Sequence, residues 1–213
     1  RALIFPFLIK NISIDNKYSL QELLNQLEDY SGYYLNGDYQ SLAYIYKTAD
    51  IQPISNYELY SSDWRVFPRS PLVFEFTYKN EKYIIINNHL KCCGDESLNP
   101  YDDWDEETRR YDACNMLDDY IEQQLPNENV LVLGDLNDVL TDRPQDNVFA
   151  AFINDENHYL FADMAIAEGS TSNWSYPNWP SHLDHILITN ELFETFNNPS
   201  SSCEIIKLEE YFY

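Results

Sequence analysis

The chain of 213 residues is strongly acidic, with 13 basic against 36 acidic side chains and a formal charge of -23. This charge opposes attraction to DNA, RNA or anionic lipid, so it excludes a nucleic-acid binder that depends on charge alone. No apolar run reaches the ~20 residues needed to span a bilayer. The 44% hydrophobic content is enough for one substantial core, so we expect a single domain over residues 1–213 without membrane insertion.

Strand-length apolar runs and two helical patterns share the chain. In chain order, the predicted elements are a strand at 3–9, a helix at 19–30, strands at 41–47, 71–78 and 82–90, a helix at 103–125, a strand at 129–137, a weaker helix at 146–155, and strands at 183–189 and 203–208. Leucines recur at helical spacing in the first helix, and Pro126 follows the second. Several strands have no polar face, as expected when both faces are covered. The mixture predicts a layered α/β domain.

The segment NVLVLGDLNDVL, residues 129–140, ends a predicted strand in polar side chains. An apolar run leads to Gly134, and Asp135, Asn137 and Asp138 follow where α/β proteins present ligand groups. Asp135 and Asn137 share one face of an extended chain, where a carboxylate and an amide suit a hard cation or a water beside a phosphate. The pattern is equally typical of a turn at a strand end.

A second strand, in the segment KYIIINNHLK, delivers Asn87, Asn88 and His89 in the same way. A single histidine at a strand end is more often a structural residue than a catalyst. Two strands that end in the same kinds of polar side chain nevertheless favour a shared site.

Three short motifs, NNHLK, LGDLND and SHLDHILIT, occur in an order and at intervals that resemble the endonuclease/exonuclease/phosphatase superfamily of metal-dependent phosphodiesterases. The resemblance covers essentially the whole chain. It implies an α/β fold, a two-sheet sandwich with flanking helices in four layers (α/β/β/α), and an active site at one edge. It also implies a divalent cation as cofactor, Mg2+ first, with Mn2+ or Ca2+ as alternatives.

Carried over to this chain, the resemblance implies a set of catalytic residues, namely His89, Asp135, Asn137 and Asp184. His89 would give a proton or a hydrogen bond to the scissile phosphate, and Asp135 and Asn137 would bind metal or water and hold the phosphate. Asp184 would orient a second catalytic histidine. Further phosphate contacts are expected from Arg69, Tyr39 and Asn87.

The adjacent pair Asp184-His185 looks like a water-activating dyad, and the resemblance argues against that interpretation. SHLDHILIT is similar to an internal family motif at the head of a strand, with His182, Leu183 and Asp184 at its three positions. His185 is therefore expected to be a strand residue.

Two motifs of the family have no counterpart in the sequence. Lys10-Asn11 stands where the family has Gln-Glu, whose Glu is the principal Mg2+ ligand, and an amide beside an ammonium group should weaken Mg2+ binding. The terminal Ser-Asp-His motif is missing as well. The domain is therefore expected to be incomplete at both ends or to be a relative without catalysis, and hydrolysis by this chain should be poor.

The expectation is thus a Mg2+-dependent phosphodiester hydrolase, a secreted or periplasmic nuclease that acts on DNA as a monomer. A sphingomyelinase-like or small-molecule phosphoesterase is the first alternative, which the negative charge favours, and a non-catalytic binding module is the second. Export would suit a disulfide from Cys92 or Cys93 to Cys114, with free thiols as the alternative.

Two further segments stand out by composition. The loop with Trp174, Tyr176 and Trp179 is expected either to stack on a base, sugar or lipid headgroup or to pack over a sheet edge. The acidic run at 102–107 is interpreted as a solvated surface.

Overall fold

The computed structural model describes residues 7–8, 17–35, 42–176 and 180–207, and these residues form two β-sheets. The smaller sheet contains β1 (Phe7–Leu8), β2 (Tyr30–Tyr34) and β3 (Ala43–Lys47), with β3 in the centre. The larger sheet contains β4 (Ile51–Glu58), β5 (Leu72–Tyr78), β6 (Glu81–His89), β7 (Asn129–Asp135), β8 (Tyr159–Phe161) and β9 (Asp184–Thr189). Its strand order is β4-β5-β6-β7-β9-β8.

Two longer helices cover the outer faces of the sheets. Helix α1 (Lys17–Gln26) packs on the smaller sheet, and α2 (Glu106–Gln124) packs on the larger one. Helix α2 begins at an Asp105 cap, whose carboxylate accepts a hydrogen bond from the Thr108 N–H at 2.8 Å. Three helices of one turn each follow later in the chain: α3 (Ala150–Ile153), α4 (Met164–Ala167) and α5 (Phe193–Phe196).

The buried side chains form three clusters, one in each space between four layers. Alternation along β3 shows the arrangement, because Ala43 and Ile45 cluster with Leu20 of α1 whereas Tyr44 lies in the cluster between the two sheets. The third cluster lies between the larger sheet and α2, and includes Ile84, Ile86, Cys114, Leu117, Val130 and Val132. The predicted α/β/β/α sandwich is therefore confirmed.

Strands β6 and β7 are parallel, and every other pairing among the described strands is antiparallel. Two parallel neighbours need a crossover connection, and α2 provides it. Because β6 and β7 run in the same direction, their last residues reach the same edge of the sheet. This edge carries the polar ends of both strands.

The structure differs from the sequence-based elements at the last predicted strand and at several elements that were not predicted, among them β2, β4 and β8. The last predicted strand is wrong over 203–207, which have no regular structure, and Ile206 is 67% exposed. Strand β4 was not predicted because Pro53 and exposed polar residues break its apolar pattern. Proline is tolerated there because β4 is an edge strand and the register shifts between Pro53 and Ser55.

Two other expectations can be compared with the described residues. No helix in these parts of the chain is long and apolar enough to cross a membrane. All four cysteines are free, with Cys114 buried and Cys92 and Cys93 exposed. Of the two alternatives, a disulfide to Cys114 and free thiols, the structure has the free thiols.

Candidate active site

Three neighbouring strands place His89, Asp135 and Asp184 in one row. In the sheet register, His89 at the end of β6 pairs with Asp135 at the end of β7, which pairs with Asp184 at the start of β9. The His89 Nε2 atom lies 3.7 Å from Asp135 Oδ2, which is too far for a hydrogen bond. The side chains of His89 and Asp135 are therefore close in space without a direct hydrogen bond between them.

The turn after β7 has a fixed backbone. Gly134 has φ 122°, and a Cβ there would collide with the Asn88 carbonyl oxygen, so the position requires glycine. Asn137 has φ 56°; its backbone N–H donates to Asp135 Oδ1 and its side-chain amide donates to the Leu90 carbonyl, both at 3.1 Å. No described residue donates a hydrogen bond to Asn137 Oδ1. That oxygen can therefore accept one from a ligand.

Arg69 brings a positive charge to the same edge. It lies in the loop between β4 and β5, and its Nη1 donates to the His89 carbonyl oxygen at 3.4 Å. Its half-buried guanidinium has a lowered pKa because of burial, which the negative charges of Cys92 and Asp135 partly offset. The edge therefore combines the positive charge of Arg69 with the carboxylates of Asp135 and Asp184.

The two central residues of the row have displaced pKa values. Burial, and then the nearby charge of Asp184, raise the pKa of Asp135 to about 6. Burial, and then the charge of Arg69, lower the pKa of His89 to about 4. Near neutral pH, Asp135 is thus ionised in a place that disfavours its charge, and His89 is a neutral imidazole. Such displaced values are typical of functional sites.

Of the other two expected phosphate contacts, Asn87 lies in the core and not at this surface. Tyr39 falls outside the described residues. Asn87 is fully buried beneath His89, and its amide donates to the Ala43 carbonyl oxygen at 3.3 Å. Its backbone N–H donates to the buried Tyr44 hydroxyl at 3.1 Å. Asn87 therefore joins β6 to the smaller sheet, and its role as a phosphate contact stays a prediction.

Arg110 was not predicted from the sequence, and it bonds both the loop after β6 and the turn after β7. Its buried guanidinium bonds Asp138 at 2.8 Å and Glu107 at 3.2 Å, and it donates to the carbonyl oxygens of Lys91 and Cys93, both at 2.8 Å. The solvated interpretation of the acidic run 102–107 is wrong for Glu107, which is only 3% exposed. A buried ion pair cannot be read from a run of acids next to one arginine.

A second Asp-His cluster lies behind the site and is fully buried. Asp163 Oδ2 is 2.6 Å from His185 Nδ1 and 2.9 Å from His182 Nε2, and Asp163 Oδ1 accepts from the Ile186 N–H. Burial opposes the charge of Asp163, but the two histidine hydrogen bonds hold its pKa at about 2. His185 lies inside β9 as predicted, and its Nε2 bonds the Asp138 carbonyl oxygen at 2.8 Å.

This buried cluster has the residue types of a metal site, but its hydrogen bonds argue against one. His182 Nδ1 accepts a hydrogen bond from the Ser175 N–H at 3.2 Å, so in the neutral ring the proton is on Nε2. The Nε2–H donates to Asp163, and a protonated nitrogen cannot bind a metal ion. The cluster is therefore a structural hydrogen-bond centre.

The edge row fits a hard divalent cation in part. Asp135 and Asp184 supply two carboxylates, and Asn137 supplies an amide oxygen, which are the donor types that Mg2+, Mn2+ and Ca2+ accept. The raised pKa of Asp135 also means that a cation would relieve the repulsion between the two acids. The position of the expected Glu ligand, Asn11, lies outside the described residues.

The aromatic loop before β9 is divided between the core and the surface. Trp174 is half-buried and donates from Nε1 to the Ile166 carbonyl oxygen at 3.1 Å. Tyr176 is 53% exposed and forms an isolated bridge with Ser181. Trp179 falls outside the described residues. Trp174 is therefore held against α4, and the stacking role of this loop stays a prediction.

The four-layer sandwich carries a polar row at one edge, at the shared end of β6 and β7. The chain belongs to the Endonuclease/Exonuclease/phosphatase family, whose model matches residues 19–202. No curated protein sequence matches the chain.

Solved structures of this fold are similar to the chain at low identity. D. rerio TDP2 in complex with a single-strand DNA product has 14% identity and a TM-score of 0.57, over 81% of this chain and 67% of that one. The human Nocturnin catalytic domain with bound sulfate has 15% identity and a TM-score of 0.56, over 84% of this chain and 67% of that one. A Bacteroides thetaiotaomicron mannosyl-6-phosphatase has 12% identity and a TM-score of 0.57, over 81% of this chain and 67% of that one. The chain spans 65% of the length of a humanized D. rerio TDP2.

Proposed function

We propose that the edge row binds the phosphate of a phosphodiester and hydrolyses it with the help of a divalent cation, Mg2+ first. The observation that carries this proposal is the convergence of Arg69, His89, Asp135 and Asn137 at the shared end of β6 and β7. Phosphodiester hydrolysis needs an oriented water, neutralised phosphate oxygens and a proton for the departing oxygen. These side chains match the three needs.

Each residue has a role that follows from its charge and position. Arg69 would pair with the phosphate oxygens, and Asn137 would hold the attacking water or a phosphate oxygen. Asp135, ionised above a pH of about 6, would accept the proton of the water or hold the cation. The cation would supply charge neutralisation, with Asp135, Asn137 and Asp184 as its ligands here.

His89 would become a proton donor only after substrate binds. Its pKa of about 4 leaves it neutral in the free protein. An anionic phosphate beside it would raise that pKa and offset the effect of Arg69. Proton donation to the departing oxygen is then coupled to phosphate binding.

We propose DNA as the substrate, because a nuclease is the function that the ordered motifs favour. A small-molecule or lipid-headgroup phosphodiester is the second candidate, and the net charge of -23 favours it because a polyanion is repelled. The D. rerio TDP2 complex with a DNA product is a similar fold that supports the first candidate, and the mannosyl-6-phosphatase is a similar fold that supports a small-molecule phosphoesterase. Export and a monomeric state stay predictions.

Plasmid cleavage by the purified chain with Mg2+, with Mn2+ and with EDTA tests the proposal. We expect slow, metal-dependent cleavage that Asp135→Ala lowers by about 100-fold or more. Asp119→Ala, an exposed acid on α2, is the matched control and should leave the rate unchanged. Cleavage that persists in EDTA or in Asp135→Ala would contradict the assignment.

The slow rate has its own test. Lys10-Asn11 replaces the Gln-Glu of the family, so Asn11→Glu should raise Mg2+-dependent cleavage. A small chromogenic phosphodiester, assayed in parallel, separates the two substrate candidates. Cleavage of that ester without cleavage of DNA would select the second.

A further inference from the structure

Two adjacent cysteines, Cys92 and Cys93, lie exposed in the loop that follows β6. Their sulfur atoms are 2.9 Å apart, and the Cys93 thiol donates to Cys92 Sγ. Cys114 is buried in the core, and Cys203 is half-buried. The exposed pair is therefore open to reagents in solution, and its two sulfurs already touch.

The cysteine pair is linked to the candidate active site through the backbone and through Arg110. Cys92 comes three residues after His89, and the Cys93 carbonyl oxygen accepts a hydrogen bond from Arg110 Nη1 at 2.8 Å. The same guanidinium holds Asp138, next to Asn137 in the turn after β7. A change in the backbone at Cys93 would therefore reach that turn through Arg110.

Cys93 has a strained backbone conformation. Its φ of 73° is in the left-handed region, which a residue with a Cβ adopts at some energetic cost. Arg110 is one of the groups that hold it there. A new covalent bond between the neighbouring sulfurs would alter the same torsion angles.

We propose that Cys92 and Cys93 are a redox pair, which low-molecular-weight disulfides oxidise to a vicinal disulfide, and that this oxidation loosens the turn at Asp138. The inference does not depend on the proposed hydrolysis. It assigns to the exposed pair a modification that is separate from the roles of His89 and Asp135.

The chemistry is a thiol–disulfide exchange in two steps. The Cys92 thiolate, which lies beside the Cys93 S–H, attacks a sulfur of the small disulfide and releases one small thiolate. The Cys93 thiolate then attacks the Cys92 sulfur and releases the second. Two cysteine thiols are oxidised, one small disulfide is reduced, and the two protons end on the released thiols.

The product should be easily reduced again. Consecutive Cα atoms are ~3.8 Å apart across a trans peptide, whereas ordinary disulfides join Cα atoms ~4.4–6.8 Å apart. The vicinal bond is therefore strained, and strained, exposed disulfides are the labile ones. The pair would respond reversibly to the redox state of its surroundings.

The test treats the purified chain with oxidised glutathione, then alkylates it under denaturing conditions and measures its intact mass. We expect alkylation of all four cysteines in the reduced protein but only of Cys114 and Cys203 after oxidation, with no glutathione attached and full reversal by dithiothreitol. Cys93→Ser should instead keep one glutathione on Cys92. Glutathione on both residues of the pair, or four free thiols after treatment, would overturn the proposal.

Amide hydrogen exchange tests the link to the turn. Loss of about one hydrogen bond predicts about fivefold faster exchange over 136–140 in the oxidised protein, with β5 unchanged as the internal control. The double variant Cys92→Ser, Cys93→Ser should show no response to the oxidant. Equal exchange in the oxidised and reduced proteins would overturn the link.

Discussion

The molecule has two Asp-His constellations that differ in how their charges are satisfied. At the edge of the larger sheet, His89 and Asp135 are 3.7 Å apart, and their pKa values are about 4 and about 6. Behind the site, Asp163 bonds His182 and His185 at 2.9 and 2.6 Å, and its pKa is about 2. The same residue types therefore have opposite energetics in the two places.

The difference shows which of the two constellations is built for a ligand. Every hydrogen bond around Asp163 is complete, so the folded protein stabilises its charge. Asp135 carries a charge that burial and Asp184 disfavour, and a cation or a polar substrate would relieve it. Adjacency in sequence is a poor guide, because Asp184-His185 are neighbours whose side chains belong to different constellations.

The largest expected effect is at the buried constellation. Asp163→Asn leaves two imidazoles without their shared carboxylate, and it should lower the free energy of unfolding by about 3–5 kcal/mol, measured by urea denaturation. Asp155→Asn is the matched control, because Asp155 pairs with the exposed His158 at 2.6 Å. The control should barely change stability. Equal losses in both variants would mean that burial does not distinguish the pairs.

The edge constellation should respond in the opposite direction. Asp135→Asn removes a charge that the folded state disfavours, so it should raise the free energy of unfolding at neutral pH by about 2 kcal/mol while it abolishes cleavage. The same urea series measures it. A loss of stability would show that Asp135 supports the fold and is not held in readiness for a ligand.

The pH dependence separates the two aspartates. The raised pKa of Asp135 gives stability that is present below 3.8 and lost as pH rises through about 6. The lowered pKa of Asp163 gives stability that is present above 3.8 and lost as pH falls towards about 2. The gain in Asp135→Asn should therefore vanish on acidification to about pH 4, where the loss in Asp163→Asn persists. His89 is present in the unaltered protein and in both variants, so its contribution to the pH dependence cancels when their free energies of unfolding are compared.

The smallest expected effect is a shift in the pKa of Asp135 when Asp184 loses its charge. Asp184→Asn removes the like charge opposite Asp135, so it should lower the pKa of Asp135 from about 6, by less than burial raises it. The carboxyl carbon resonance of Asp135 reports this titration. An unchanged midpoint would remove Asp184 from the electrostatics of the site.

Much of the row could be predicted from the sequence, because a strand that ends in polar residues places them at a known edge. His89 and Asp135 follow from the ends of two apolar runs, and the family resemblance added Asp184 at the start of a third. The depth of Asn87 could not be predicted, since an amide two residues inside the strand end looks like its exposed neighbours. The alternation of side chains along β6 puts Asn87 on the same face as His89. It does not show how far the smaller sheet extends over that face.

The supporting groups were not predictable for a different reason. Arg110 lies in a helix pattern, Asp163 in a loop, and both act through contacts with residues far along the chain. The spacing of His182 and His185 was visible, but nothing in it identifies Asp163 as their partner. Long-range ion pairs depend on the assembled layers, and local sequence patterns do not record them.

The pKa of Asp135, measured with and without Mg2+ by its carboxyl carbon resonance, tests whether this edge is prepared for a metal ion and a phosphate. We expect a midpoint of about 6 in the absence of the cation, and a lower midpoint when Mg2+ is added, because the cation stabilises the ionised form. Asp163 should not respond to Mg2+. An ordinary pKa for Asp135 that Mg2+ leaves unchanged would contradict the claim that this edge is prepared for a metal ion and a phosphate.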